Sequence, residues 1–268
     1  MKKIVYALIL LLVFIADTSR IAAQGNDWKL IFREEFNGKN NSPVDAAVWN
    51  RSERGKSHWR RWISTTSDKV VFVNKGRLIC RAIPNRHEPN DTAKMLTGAI
   101  DTKGKFSFKY GKIECRMRTN DIRGNFPAFW MMPDEQHPDK RYGEIDIVEM
   151  FGNEGKAAQS IHSHRSFVNK KEGIKRDTRV NIDVRKWHVY GIIWDEEKII
   201  WTIDGRETFR YSRSHDPQME REGQWCFDRP FYIILNQSVG DGSYPQLVPD
   251  INTTYETQFD WVRVYQRK

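Results

Sequence analysis

The sequence predicts an all-β fold, a β-sandwich or jelly roll whose concave inner sheet forms an open cleft for a long ligand. Three observations carry this. Short apolar, β-branched runs recur along the 268 residues, separated by Gly, Pro, Asn and Asp. No helical period persists. Turn sequences such as Asp204-Gly205 and Asn74-Lys75-Gly76 join neighbouring runs as hairpins. A chain of this length closes one large β-domain with a sizeable core. Residues 27–268 show no internal repeat, second domain or low-complexity tail.

The first residues read as an export signal. Lys2 and Lys3 precede the apolar run from Ile4 to Ala16, and Ile21-Ala22-Ala23-Gln24 supplies small residues for cleavage. Residues 1–23 are thus expected to be removed. The apolar run is short for a membrane span and lacks the Cys of a lipid anchor. The mature chain is expected to be exported to the periplasm or outside the cell, as a monomer without a membrane span.

After the signal, Trp28 to Gly38 reads as an edge strand ending in a turn. Val70 to Val73 and Arg77 to Ile83 form a hairpin. Between Tyr110 and Thr119, Ile113, Cys115 and Met117 alternate with Lys112, Glu114, Arg116 and Arg118, the pattern of a half-buried strand. Pro127 to Met132 and Glu144 to Met150 are apolar strands joined by a polar loop containing Pro133 and Pro138. Further strands are expected at Gln159–His164, Trp187–Trp194, Lys198–Ile203, Phe231–Ser238 and Phe259–Gln266. The polar stretch from Ser212 to Gln224 has room for a short helix.

The formal charge is +9, or +7 once Lys2, Arg20, Lys3 and Asp17 leave with the signal. No basic run is dense enough for a nucleic-acid arm. The clusters Arg51–Arg61 and Lys170–Arg185 read first as solvated surface, and secondly as surfaces suited to sulfated or sialylated glycans. Cys80, Cys115 and Cys226 lie outside any zinc-type spacing and read as buried free thiols.

Gly143-Glu144-Ile145-Asp146-Ile147-Val148-Glu149-Met150 carries the chemistry. It places three carboxylates inside a segment that otherwise reads as a buried strand. Period two puts Glu144 and Asp146 on one face and sends Glu149 to the other. One β-bulge near Ile147 or Val148 returns Glu149 to the first face. A pair of carboxylates bracketing one bond is what glycoside hydrolysis requires. The bland alternative, a strand carrying surface acids, fits poorly beside Phe126-Pro127-Ala128-Phe129-Trp130, because unpaired buried carboxylates are costly.

With these residues the chain resembles glycoside hydrolase family 16, in its laminarinase-like branch of retaining endo-β-glycanases. The resemblance runs from Glu35-Phe36-Asn37-Gly38 to Asp260-Trp261-Val262-Arg263-Val264-Tyr265, and is most specific at Glu144-Ile-Asp-Ile-Val-Glu149. It implies a concanavalin A-like jelly roll, with Glu144 as nucleophile, Glu149 as general acid/base and Asp146 as the electrostatic partner between them. A retaining pair works with carboxyl groups about 5–5.5 Å apart. Glu144 is expected to be ionised at rest and Glu149 protonated, its pKa raised by the other two charges. His162 is expected beside the acids, with His164 facing the same way. Trp130, Trp225, Trp59 and Trp62 are candidate sugar platforms, and Asn236 and Gln237 candidate hydroxyl-binding groups. Catalysis requires no metal. Some members hold a structural calcium, and Glu35, Gly76 and Asp260 are the matching positions.

The expected reaction is hydrolysis of internal β-linkages in a β-1,3- or mixed-linkage glucan by double displacement. Asn236-Gln237-Ser238-Val239-Gly240 departs from the Gly-Gly-Trp-like turn of common laminarinases. The basic Arg54–Trp62 loop is closer to members acting on host glycans. Both features admit an endo-β-1,4-galactosidase acting on mucin- or keratan-type chains or a sulfated galactan, for which a positive cleft would suit anionic groups. Transglycosylation is open to the same covalent intermediate. A non-catalytic carbohydrate-binding protein is the reading from another class; loss of either Glu would favour it, and both are present.

Overall fold

The computed structural model describes residues 27–86, 91–135 and 137–268, so the segment read as a signal lies outside the described residues. Among the described residues sixteen strands carry the fold: β1 (Trp28–Glu34), β2 (Asn50–Arg51), β3 (Val71–Val73), β4 (Leu78–Pro84), β5 (Met95–Asp101), β6 (Ser107–Phe108), β7 (Gly111–Thr119), β8 (Asn125–Pro133), β9 (Gly143–Glu149), β10 (Lys156–Ser163), β11 (Asp177–Asn181), β12 (His188–Trp194), β13 (Lys198–Ile203), β14 (Arg206–Ser212), β15 (Phe231–Val239) and β16 (Tyr255–Arg267). Two short helices, α1 (His164–Phe167) and α2 (Pro217–Arg221), lie between them.

The strands run antiparallel in the order β11-β10-β9-β8-β15-β5-β4-β16-β7-β12-β13-β14, with β1 added to β16. The first six form the sheet that carries the cleft, and the rest form the sheet packed behind it. The layers enclose one main core. β7 contributes Ile113, Cys115 and Met117, β8 contributes Phe129 and Met131, β15 contributes Ile233 and Leu235, and β16 contributes Phe259, Val262 and Val264. Each large apolar side chain so buried stabilises the fold by roughly 1.5–3 kcal/mol before entropy is counted. All three cysteines are buried and free, as expected.

Both expected hairpins form. Lys75 and Gly76 have φ of 51° and 68°, and Asp204 and Gly205 have 52° and 75°. Positive φ at both central residues is the type I′ geometry that matches strand twist. The short helix expected between Ser212 and Gln224 is α2, capped by Asp216, whose side chain accepts from the N–H groups of Gln218 and Met219.

Five strands lie outside the expected ranges: the two-residue β2 and β6, β14 (implied only by the Asp204-Gly205 turn), β5 and β11. β5 pairs with β4 through Met95–Thr97 and with β15 through Gly98–Asp101, so it crosses from one sheet to the other. Buried on both faces, it shows no alternation, and its central Gly98 reads as a strand breaker. A Cβ at Gly98 would lie 2.0 Å from the Val70 carbonyl oxygen, so the close approach requires glycine. β11 is a polar edge strand, Asp-Thr-Arg-Val-Asn, held by its register against β10.

Candidate active site

The expected bulge is present in β9. Against β8, Phe129 pairs with Val148 and Trp130 with Asp146, which leaves Ile147 without an opposite residue. Against β10, Gln159 alone spans Ile147 and Val148, between the pairs Ala158–Glu149 and Ser160–Asp146. The extra residue turns Glu149 onto the face of Glu144 and Asp146. Ile145, Ile147 and Val148 go to the core. Behind the bulge, Trp201 of β13 donates its indole N–H to the Asp146 carbonyl at 2.8 Å, and Gln159 donates to that of Ile147 at 3.2 Å. The backbone groups freed by the irregular register are thereby satisfied.

Glu144, Asp146 and His162 bring carboxylate oxygens and a ring nitrogen within 4.8 Å of one another. Asp146 is buried; its Oδ2 accepts from Ser160 Oγ at 2.6 Å and lies 3.3 Å from His162 Nε2. Ser160 Oγ is also 3.5 Å from Glu149 Oε2, linking the two acids. The Tyr142 phenol donates to Glu144 Oε2. These donors offset the repulsion between acids held close together.

The electrostatics divide the two glutamates. Burial, then the charges of Asp146 and Glu144, push Glu149 well above the usual carboxyl range; Ser160 and Arg179 act weakly the other way. Burial, then Asp146, push Glu144 up to about 8, while His162 and the Tyr142 phenol favour its anion. The first proton to leave the pair therefore leaves Glu144. Glu144 is nonetheless less ionised at neutral pH than the sequence reading expected, because the cleft wall removes water from it. Burial opposes a charged His162, but its bond to Asp146 and the charges of Asp146 and Glu144 outweigh that and raise its pKa.

A cleft of about 750 Å³ opens over this face, with Glu144, Tyr142, Trp130, Trp59, Arg60, Met132, Phe167 and Tyr232 in its wall. The structure brings Trp59 and Trp130 together, edge to face, with ring centroids 4.9 Å apart. Trp130 forms the floor, only 6% exposed, and its indole N–H donates to Asn236 Oδ1 at 2.7 Å. The Asn236 amide also donates to Ser238 Oγ at 3.1 Å, and Ser238 donates to the Trp59 carbonyl at 2.8 Å. Asn236 is thus buried and engaged in holding both tryptophans, not free for a sugar hydroxyl.

Other candidates stand elsewhere. Gln237 points between the sheets, donating to Asn125 Oδ1 at 2.8 Å and accepting from Thr257 Oγ1 at 2.6 Å. Its place one residue beyond Asn236 on a strand puts it on the opposite face. Trp225 is 2% exposed in the main core, with its indole N–H on Asp228 at 2.6 Å. Trp62 packs beside Ala82, Met95, Val239 and Tyr255, away from the cleft wall, under the Arg61 guanidinium. His164 opens α1 instead of continuing β10, and its Nδ1 accepts the Tyr142 N–H at 3.1 Å. Tyr142, Ser160, Phe167, Met132 and Tyr232 stand in the wall or the site without having been candidates from sequence. Tyr142 and Ser160 could have been found, since alternation puts Tyr142 on the face of Glu144 and Ser160 on that of His162. Phe167, on a four-residue helix, left no periodic signal.

The calcium positions do not fit a cation. Glu35 is paired bidentately with Arg263 at 2.9 and 3.1 Å, and Asp260 with Arg116 at 2.5 Å and Arg77 at 3.9 Å. Their charge is already matched by guanidinium groups. The cleft is not positive either. Arg51, Arg60 and Lys103 stand in its wall with Glu53, Asp101, Glu135 and Glu144. Arg51 is turned onto the carbonyls of Val71, Ser64 and Ser67, and Lys103 pairs with Glu135 at 2.9 Å.

A jelly roll with three acids on one bulged strand of its cleft sheet is the architecture of a carbohydrate-cleaving class. The family model for glycosyl hydrolases family 16 matches residues 60–263, and the chain belongs to that family. It is 30% identical over 246 residues to a keratan-sulfate endo-1,4-β-galactosidase from Sphingobacterium multivorum, covering 90% of this chain and 56% of that one. It is 29% identical over 288 residues to a β-glucanase from Rhodothermus marinus, covering 99% and 96% of the two chains. A solved non-specific endo-β-1,3(4)-glucanase of the family superposes with a TM-score of 0.77 at 25% identity, over 90% of this chain and 92% of that one. Among the described residues no helix is long and apolar enough to cross a membrane.

Proposed function

We propose that this chain is an exported, monomeric retaining endo-β-glycosidase that cuts internal linkages of a β-1,3- or mixed-linkage glucan. The reading is supported by the β9 bulge, which turns Glu144, Asp146 and Glu149 to one face of the strand. In the first step the Glu144 carboxylate attacks the anomeric carbon while the Glu149 carboxyl gives its proton to the departing glycosidic oxygen. In the second, the Glu149 carboxylate takes a proton from water, whose oxygen attacks the same carbon and frees Glu144. Asp146 biases both glutamates toward holding protons, and His162 and Ser160 hold Asp146 in place. Trp130, Trp59 and Tyr232 supply the apolar surface on which sugar rings stack.

A second substrate, a β-galactoside within a keratan- or mucin-type chain, is favoured by the likeness to the keratan-sulfate galactosidase. Purified protein is to be incubated with laminarin, mixed-linkage β-glucan, keratan and mucin O-glycans, with and without an acceptor sugar, and the products read by mass. Released oligosaccharides identify the substrate, and acceptor-extended products identify transglycosylation. No product from any substrate refutes the reading.

A further inference from the structure

Tyr142 is fixed on every side. Its N–H donates to His164 Nδ1 at 3.1 Å, and its carbonyl accepts from the Cys226 thiol at 2.9 Å. Its ring stacks on Phe167, with centroids 4.1 Å apart and planes within 13°. The next residue is Gly143, where a Cβ would press on Phe231 and Cys226 at 3.2 and 3.3 Å, so the chain cannot easily shift. One polar atom of Tyr142 is left for the cleft, and that phenol donates to Glu144.

We propose that Tyr142 is a positioning residue for the nucleophile, its phenol orienting the Glu144 carboxylate and stabilising it as an anion. This rests on the reading of Glu144 as nucleophile. The titratable groups facing Glu144 are Asp146 and Glu149 from its own strand, Tyr142 from the loop just before it and His162 from β10. β8 brings Trp130 and Met132, which do not titrate. Asp146 repels a charge on Glu144. A cation in place of Tyr142 would form a tight pair and blunt the nucleophile, whereas a neutral phenol offers a charge-assisted hydrogen bond without a counter-charge. Burial and the neighbouring acids push the phenol's own pKa upward, so it stays a donor throughout the working range.

The test is a titration of the protein labelled with ¹³Cδ-glutamate, the Glu144 resonance being identified by its loss in Glu144→Gln. Tyr142→Phe keeps the ring stack and removes only the donor. The Glu144 midpoint is expected to rise by about one pH unit or more in Tyr142→Phe, and the acidic limb of kcat/KM to move with it. Phe167→Leu, which loosens the phenol, is expected to move the midpoint in the same direction by less. An unchanged midpoint in Tyr142→Phe, with circular dichroism showing a native fold, overturns the proposal. Because the titration needs no turnover, a wild type that releases no oligosaccharide would count against the glycosidase reading alone.

Discussion

Burial and the charges of Asp146 and Glu144 raise the pKa of Glu149 well above the usual range, which suits the general-acid role proposed for it. Removing that proton donor should cost about 10²–10⁴-fold in kcat on an unactivated linkage. We therefore expect Glu149→Gln and Glu144→Gln each to abolish practical turnover while glycan binding, followed by calorimetry, survives. Near-normal hydrolysis by either variant would remove its assigned role. The same groups predict a pH profile. The proposed double displacement needs Glu144 ionised and Glu149 protonated, and Glu144 is raised to about 8, so kcat/KM should climb as pH rises through 7 toward 8. They also carry a stability signature. From about pH 4.5, where the unfolded carboxyl ionises, to about 8, the folded Glu144 still holds its proton. The fold therefore loses stability as pH rises through that window. Glu144→Gln should gain about 1 kcal/mol or more at neutral pH, a few degrees in Tm, Glu149→Gln should also gain stability there, and both gains should vanish at pH 4. Tyr142 and Ser160 were legible in principle from alternation, but the identity of their partners depended on which strand lay alongside.

Within the strands, β9 was readable because its three acids demand one face and only an extra residue supplies it; Ile147 is that residue. β5 was not readable, because a strand that changes sheets is buried on both sides and shows no period. Its Gly98 gives a direct test. Gly98→Ala places a methyl against the rigid Val70 carbonyl, 2.0 Å away, and should destabilise the protein by about 1–3 kcal/mol or more. The measurement is the midpoint of urea unfolding, and an unchanged midpoint would show that β5 does not approach Val70 as described. The segment Asn236-Gln237-Ser238 illustrates a third case. The sequence pattern puts it on a strand, as the structure does, but Gln237 faces the core and Asn236 is taken up by Trp130.

For the whole molecule, net charge and cleft charge part company. The chain is basic at +9, yet the cleft wall mixes three cations with four acids, and the arginines are largely spent on carbonyls, carboxylates and indole rings. Trp187 alone has Arg77, Arg116 and Arg118 within 5.2 Å of its ring centroid. We predict that sulfated and desulfated keratan, at physiological salt, differ less than about fivefold in kcat/KM, since screening removes the distant charges. A larger preference for the sulfated chain would place an anion site in the cleft. The sequence by itself determined the reaction chemistry: residue spacing on a strand dictates which side chains share a face, and three acids cannot share one without a bulge. Only the tertiary structure decided which aromatic rings reach the cleft, which polar groups are already partnered, and how far each carboxyl is raised. Those depend on burial and on neighbours distant in sequence, set by how two sheets close over each other rather than by any local pattern.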